Sequence, residues 1–320
     1  MPSPLQTTPC RAAPGTLPVA HGSPAAPLDR YAVLGHPVAH SQSPFIHTAF
    51  AQQTGQALDY GRLDCPPDGF EATLQHWLAS ADAGAALAAG LGPVRGCNIT
   101  VPFKFQVLPL ARHITPRAQL AQAANTLRIE ADADGLPAWT ADNTDGVGLV
   151  RDLQDHAGFQ LAGQRVLLIG AGGAAAGVLG PLIQTGCAAI TVANRTLTRA
   201  QTLLQRHQAW SQQHQVRLQA TGLDDCGTGF DLVINSSASS LGSGPVPVHA
   251  SVLRPGALAV DLMYGPAAQP FLAWAAQHGA TGRDGLGMLV EQAAESFLLW
   301  RGVRPGTAPV LAALRARLAG

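Results

Sequence analysis

An apolar run, Gln164-Arg-Val-Leu-Leu-Ile169, passes directly into Gly170-Ala-Gly172-Gly173-Ala-Ala-Ala-Gly177, and a helical stretch continues from Val178 to Gln184. Strand, glycine turn and helix in that order define the βα unit of a doubly wound sheet. The glycines permit a tight turn and bring backbone N–H groups close to an anion at the helix N-terminus. In this context the turn is a seat for a dinucleotide pyrophosphate. The third glycine falls two positions later than in the G-x-G-x-x-G spacing.

The next apolar segment, Ala189-Ile-Thr-Val-Ala193, leads into Asn194-Arg195-Thr196-Leu-Thr-Arg199. NAD sites commonly place a carboxylate here to accept from the ribose hydroxyls. This chain has two arginines instead. A guanidinium fork matches a phosphate, so Arg195 and Arg199 predict the 2′-phosphate of NADP. Solvated arginines at a helix start are the plainer alternative, and the glycine turn upstream weighs against it. Asp231-Leu-Val-Ile-Asn235 and Ala257-Leu-Ala-Val-Asp261 read as further strands ending in polar turns, where ligands bind in open α/β sheets. Asp284-Gly285-Leu-Gly-Met-Leu-Val-Glu-Gln292 opens a long apolar helix through Trp300, with Gln292 a polar residue in its second turn.

Lys104 is the only lysine among 20 Lys and Arg residues. A lysine amine can lose and regain a proton, whereas a guanidinium stays charged. The count alone leaves two readings even: a proton-transfer or substrate-binding amine, or a surface lysine left in an arginine-biased composition. Position favours the first, because the β-branched run Ile99-Thr100-Val101 stops at Pro102 and puts Lys104 just past a strand end. Asp142-Asn-Thr-Asp145-Gly146 precedes an apolar periodic segment, Val147 to Leu153. Asp145 reads either as the cap of that helix or as a carboxylate facing Lys104 across a cleft, and spacing does not choose between them.

Order is expected to begin at the buried-strand pattern Tyr31-Ala-Val-Leu-Gly35. Pro44 suits the first helical position, which places Ser43 at the N-cap and Ser41 two residues before it. Free N–H groups at such an end suit an anion, so both serines are candidates for binding an anionic group of a small substrate. For Ser43 taken by itself, an ordinary cap is the favoured reading. A helix from roughly Phe70 to Leu91, a strand from Gly96 to Val101, a strand from Ala121 to Ile129 with Asn125 at its beginning, and an exposed loop from Asp132 to Pro137 complete the first half. His36, His40 and His47 share no helix face and have no acidic or cysteine neighbour in sequence, so no metal is expected.

Charged residues make up 12% of the chain and the net charge is zero, which leaves no basic footprint for nucleic acid or an anionic membrane. The five cysteines lack CxxC spacing and fit a reducing compartment. No apolar run reaches the roughly 20 residues of a membrane span. The expectation is a cytoplasmic protein with a small-molecule substrate, monomeric or homodimeric. Residues 1–27 are Pro-rich and read as a disordered tail.

With these motifs collected, the chain resembles the shikimate dehydrogenase family. The residues that carry the resemblance are Gly35-His-Pro-Val-Ala-His-Ser-Gln-Ser-Pro44, Asn98-Ile-Thr-Val-Pro-Phe-Lys104, Ala124-Asn-Thr126 and Asp142-Asn-Thr-Asp-Gly146. Gly170-Ala-Gly-Gly-Ala174, Asn194-Arg-Thr-Leu-Thr-Arg199, Asp261-Leu-Met-Tyr264 and Asp284 to Gln292 follow in the family's order. It implies an α/β fold of two domains: a substrate domain over 28–144, completed by C-terminal helices in 286–320, and a Rossmann-like NADP domain over 145–285. It implies NADPH-dependent reduction of 3-dehydroshikimate to shikimate, with Lys104 as general acid/base beside Asp145. Ser41, Ser43 and Tyr264 would hold the substrate carboxylate, and Thr100, Lys104, Asn125, Asp145 and Gln292 the ring hydroxyls and reacting oxygen. Gly170, Ala171, Gly172, Gly173, Ala174, Asn194, Arg195, Thr196 and Arg199 would bind NADP, with Leu262 and Gly285 near the nicotinamide. Leu262 stands where many relatives have methionine. The Gln-rich segment 200–221 and Pro116 receive no role. A quinate/shikimate dehydrogenase of the same fold and a non-catalytic dinucleotide sensor are the competing expectations.

Overall fold

The structure is a computed structural model that describes residues 27–80, 91–131, 137–237 and 246–319. Apart from Pro27, the Pro-rich tail lies outside the described residues, and so does the loop expected over Asp132–Pro137, apart from Pro137.

The N-terminal sheet contains β1 (Leu28–Gly35), β2 (Leu58–Asp64), β3 (Leu91–Ile99), β4 (His113–Ile114), β5 (Thr126–Ala131) and β6 (Pro137–Asp142), in the order 2-1-3-5-6-4. β1 runs parallel to β2 and β3, whereas β5 is antiparallel to both β3 and β6. Burial on both faces explains the unbroken apolar reading of β1. Ala32 and Leu34 pack with Phe70, Leu74 and Phe103 on one side, and Tyr31 and Val33 pack with Val38 and Tyr60 on the other.

Helix α1 (Ser43–Thr54) follows β1 and α2 (Phe70–Ala79) follows β2. The helix expected to reach Leu91 stops at Ala79, residues 81–90 lie outside the described residues, and Leu91 already belongs to β3. β3 also ends at Ile99, two residues before the expected Val101. The strand expected from Ala121 begins only at Thr126, because Pro116–Ala121 forms a short helix, α3. Pro116 sits in its first turn and the Thr115 hydroxyl accepts from Ala118 N–H, a local nucleus that an alanine-rich segment without β-branched residues does not resist.

The second sheet comprises β7 (Arg165–Ile169), β8 (Ala189–Ala193), β9 (Arg217–Thr221), β10 (Phe230–Asn235), β11 (Leu253–Asp261) and β12 (Thr281–Arg283), in the order 12-11-10-7-8-9. All its pairings are parallel. Counted from β7, this is the doubly wound order 3-2-1-4-5-6, whose ligand crevice opens where β7 and β10 diverge. Between the sheets run α4 (Asp145–Arg151), α5 (Gly173–Gln184) after the glycine turn, and α6 (Leu197–Gln213) after β8. The C-terminal α8 (Leu286–Arg301) and α9 (Ala308–Ala319) follow α7 (Gln269–Gln277) and return to the first sheet. Phe297, Val290 and Leu314 pack on Ile46 and Phe50 of α1, and Trp300 Nε1 donates to the Leu127 carbonyl of β5 at 2.9 Å. No helix among the described residues is long and apolar enough to cross a membrane.

His47 of α1 sits fully buried in this returning interface, stacked on Tyr60 at 4.3 Å between ring centroids. Burial pushes its imidazole down to about 3. The unfolded chain therefore takes up a proton that the folded chain refuses. This contribution to stability is complete above about pH 6.5 and is lost as pH falls towards 3, at up to about 1.4 kcal/mol per pH unit. Urea denaturation of the wild type and His47→Phe between pH 7 and 4 should show a shallower acid decline in the variant. Parallel declines would mean that His47 is not the source.

Candidate active site

Lys104 lies in a short 3-10 turn, Phe103–Phe105, just past β3. The turn is anchored on either side of the lysine: Phe103 is fully buried and stacks on Phe70 at 4.9 Å, and the Lys104 carbonyl accepts from Ala124 N–H at 2.9 Å. Its Nζ is paired with Asp145 Oδ2. Asp145 is the first residue of α4 and makes no side-chain cap there, so of its two sequence readings the structure takes the one across the cleft. Both side chains are largely buried, at 15% and 6% exposure, which strengthens the pairing by keeping water away.

Asn125 is the hub beside this pair. Its Nδ2 lies 2.9 Å from Asp145 Oδ1, 2.9 Å from Thr144 Oγ1 and 3.0 Å from Gln292 Oε1. Its Oδ1 accepts from Thr144 N–H at 2.8 Å. Lys104, Asp145, Asn125 and Gln292 therefore form one connected group drawn from four parts of the chain. A layer behind them escaped the sequence reading. Asn98 Nδ2 donates to the Asn125 carbonyl and to Ser296 Oγ, and its Oδ1 accepts from Tyr60 OH at 2.6 Å. The available signal was an asparagine set between Cys97 and Ile99 at the end of β3, since a buried amide needs dedicated partners.

Ser41 and Ser43 are joined to each other at 3.2 Å between hydroxyls, and Arg62 donates to the Ser41 carbonyl. Ser43 is the first helical residue and Gln42 occupies the cap without a side-chain capping bond, which corrects the N-cap assignment for Ser43. Pro44 in the first turn does not need Ser43 as a cap, and that leaves the serine hydroxyl to the neighbouring Ser41. Tyr264 packs against the cluster formed by α1 and α8, and burial raises its phenol. Thr100 crowds the end of β1, where a Cβ on Gly35 would come within 2.2 Å of its methyl group.

The glycine turn closes the other side. Gly170 has φ +108°, and a Cβ there would lie 2.9 Å from Ser236 Oγ at the end of β10. Gly172 caps α5, flanked by Ala171 before it and by Gly173 and Ala174 in the first turn. A Cβ on Gly173 would sit 3.5 Å from the Phe105 ring and 3.9 Å from Lys104 Cβ, so the turn faces the lysine directly. Asn194 leaves β8 with its N–H on the Thr221 carbonyl and its side chain on the Thr196 carbonyl. Arg195, Thr196 and Arg199 are exposed at the start of α6, and neither arginine has a carboxylate partner among the described residues. Leu262 and Gly285 abut, since a Cβ on Gly285 would meet the Leu262 carbonyl at 2.3 Å.

A cavity of about 910 Å³ adjoins the group, walled by Thr115, Arg117, Asp142, Gly177, Pro181 and Trp210 among others, but not by Lys104 or Asp145. On that wall, Asp142 accepts from Thr115 Oγ1 and Arg117 Nε, both at 2.6 Å, and from Asn143 N–H at 2.7 Å. Burial would lift this carboxyl, but the hydrogen bonds and charge of Arg117, aided by Thr115 and Asn143, hold it below the usual carboxylate range.

Three family profiles match in sequence order: "Shikimate dehydrogenase substrate binding domain" over residues 33–127, "Shikimate / quinate 5-dehydrogenase" over 152–242, and "Shikimate 5'-dehydrogenase C-terminal domain" over 285–315. The chain is 63% identical to the shikimate dehydrogenase (NADP(+)) of Methylibium petroleiphilum, over 92% of this chain and 97% of that one. The chain belongs to the shikimate dehydrogenase family. A solved shikimate 5-dehydrogenase from Thermus thermophilus, in complex with NADP(H) and shikimate, is 30% identical with a TM-score of 0.74, covering 91% of this chain and 100% of that one. An Ael1 enzyme from Pseudomonas putida is 40% identical with the same TM-score, 0.74, covering 89% of this chain and 98% of that one.

In this shikimate dehydrogenase family member the displaced third glycine has a physical reason. A Cβ on Gly177 would lie 2.8 Å from Asn143 Oδ1 and 3.1 Å from Asp145 Oδ2. The glycine lets the 142–145 loop rest directly on α5. Gly177→Ala should destabilise the protein by about 1–3 kcal/mol through overpacking, measured by urea denaturation. An unchanged midpoint would show that the loop can move away freely.

Proposed function

We propose that this chain reduces 3-dehydroshikimate to shikimate with NADPH, reversibly. The observation that carries this reading is the buried Lys104–Asp145 pair beside the glycine turn, with Gly173 close to Lys104 Cβ. Two of the relatives above support the same reaction: the Methylibium petroleiphilum protein, named shikimate dehydrogenase (NADP(+)), and the Thermus thermophilus shikimate 5-dehydrogenase in complex with NADP(H) and shikimate.

Bound NADPH supplies the hydride to the substrate's C3 carbonyl carbon. The oxygen left behind needs a proton, and the Lys104 ammonium donates it, returning to the charged form from solvent. Asp145, paired with Nζ, holds the ammonium in place. Asn125, Gln292 and Thr100 orient the ring hydroxyls, and Ser41 and Ser43, with Tyr264, take the carboxylate. Gly170 to Ala174 seat the pyrophosphate, Asn194, Arg195, Thr196 and Arg199 hold the adenosine phosphate end, and Leu262 and Gly285 flank the nicotinamide. We read residues 28–144 with 286–320 as the substrate domain and 145–285 as the NADP domain. The described cysteines, Cys65, Cys97, Cys187 and Cys226, are buried free thiols, in keeping with a cytoplasmic enzyme, taken here as a monomer or homodimer.

Absorbance at 340 nm with NADP and shikimate, then with quinate, tests the reaction and its substrate. Lys104→Met should lower kcat by about 10²–10⁴-fold with substrate binding little changed, and near-normal turnover would remove the lysine from the chemistry. Arg195→Ala should raise KM for NADPH far more than for NADH, because only NADPH carries the extra phosphate. Equal losses would argue against a 2′-phosphate contact.

A further inference from the structure

Arg117, the second residue of α3, takes no part in the mechanism above, yet it joins two carboxylates behind it. Its Nε and one terminal nitrogen grip Asp142, and the other terminal nitrogen donates to Glu295 Oε1 at 3.0 Å. On one side, Asp142 Oδ1 accepts from Asn143 N–H, and Asn143 Oδ1 accepts from Asp145 N–H at 3.2 Å while its amide donates to the Ala123 carbonyl at 2.9 Å. On the other side, Glu295 lies on α8, three residues beyond Gln292, which touches Asn125, and one before Ser296, which touches Asn98. The arginine thus ties the loop carrying Asp145 to the helix carrying Gln292.

We propose that Arg117 is a positioning residue for proton transfer: its fork fixes Asp142, and through Asn143 the backbone of Asp145, against the helix that presents Gln292. The inference rests on the reading of Lys104 and Asp145 as the proton-transfer pair. A lysine cannot replace this fork, because one ammonium does not span two carboxylates in a plane.

The neighbourhood also sets a pH signature. Arg117 is the cation in contact with Asp142. Glu295 is shared with Arg304 at 2.8 Å and Arg151 at 3.8 Å, and Glu291 with Arg304 at 2.6 Å and His156 at 2.8 Å. Lys104 faces the loop from the site, paired with the loop's own Asp145. With Arg117 removed, Asp142 keeps Thr115 and Asn143 N–H as donors, but burial then dominates and its carboxyl rises. A protonated Asp142 no longer accepts at every position the loop requires, so kcat should fall on the acid side in a range where the wild type is flat.

Arg117 and Asp142 both line the 910 Å³ cavity, so a small cation can enter the space left by a truncated side chain. In the full-length enzyme, Arg117→Ala should lower kcat about 10- to 100-fold, with KM for NADPH within about twofold. Added methylguanidinium should restore part of that kcat. The variant should also show a new acid limb, which Arg117→Ala combined with Asp142→Asn abolishes. Wild-type kcat in Arg117→Ala, or a folded variant whose loss neither responds to methylguanidinium nor shows the new limb, would overturn the proposal. Should Arg117→Ala fail to fold, Arg117→Lys decides, with a kcat loss of about tenfold expected and wild-type kcat counting against the fork. A wild-type enzyme that does not reduce 3-dehydroshikimate sinks both readings. An active wild type with an unaffected Arg117→Ala sinks this one alone.

Discussion

The ion pair between Lys104 and Asp145 is the interaction around which the rest of the site is arranged. Placing an ammonium and a carboxylate out of water costs several kcal/mol per ion unless their remaining valences are met. Asn125 meets one, through Asp145 Oδ1, and is itself held by Thr144 and Gln292. Asn98, Tyr60, Thr126 and Ser296 then satisfy the polar atoms one layer deeper. Such a network holds only as a whole, because each member deprived of its partner becomes a buried unsatisfied group. The polar side chains of the site are therefore partnered within the protein itself.

Close backbone approach makes this geometry possible. α4 lies between α5 and α8, and its glycines permit both crossings. A Cβ on Gly146 would strike the Gly177 carbonyl at 2.4 Å, and one on Gly148 would strike Gln292 N at 2.6 Å. Asp145, at the head of α4, is consequently located by elements of both sheets at once. Hydride and proton must reach adjacent atoms of one substrate, and alignment of that kind accounts for a large share of catalytic rate. In the reaction proposed above, a residue held by elements of both sheets would supply such alignment.

The glycine turn, the strands β7, β8 and β10, and the polar ends of β10 and β11 were all legible, since each depends on neighbours within a few residues. Lys104 was legible for a different reason: it is the sole amine in an arginine-rich composition. Local reasoning failed where two local preferences competed. At Ala121–Asn125 the end of a Pro-initiated helix with a threonine cap displaced the start of the expected strand, which begins at Thr126. At Ser43 a favourable capping residue was drawn into the helix while its hydroxyl turned to Ser41. Arg117 gave no signal at all, because an arginine in a first helical turn looks like any solvated surface charge.

By itself the sequence determined the α/β class, the position of the dinucleotide-type turn, and the amine and carboxylate around which chemistry was expected. These follow from hydrophobic periodicity, glycine placement and residue type, which act over short stretches of chain. Tertiary structure alone decided that Asp145 faces Lys104 instead of capping its helix. It also decided that Asn125 meets Gln292 across 167 residues and that Arg117 meets Glu295 across 178. Those contacts exist only once α8 has returned to the first sheet and α4 has settled between its neighbours. Their energies depend on burial and close packing, which no local stretch of sequence records.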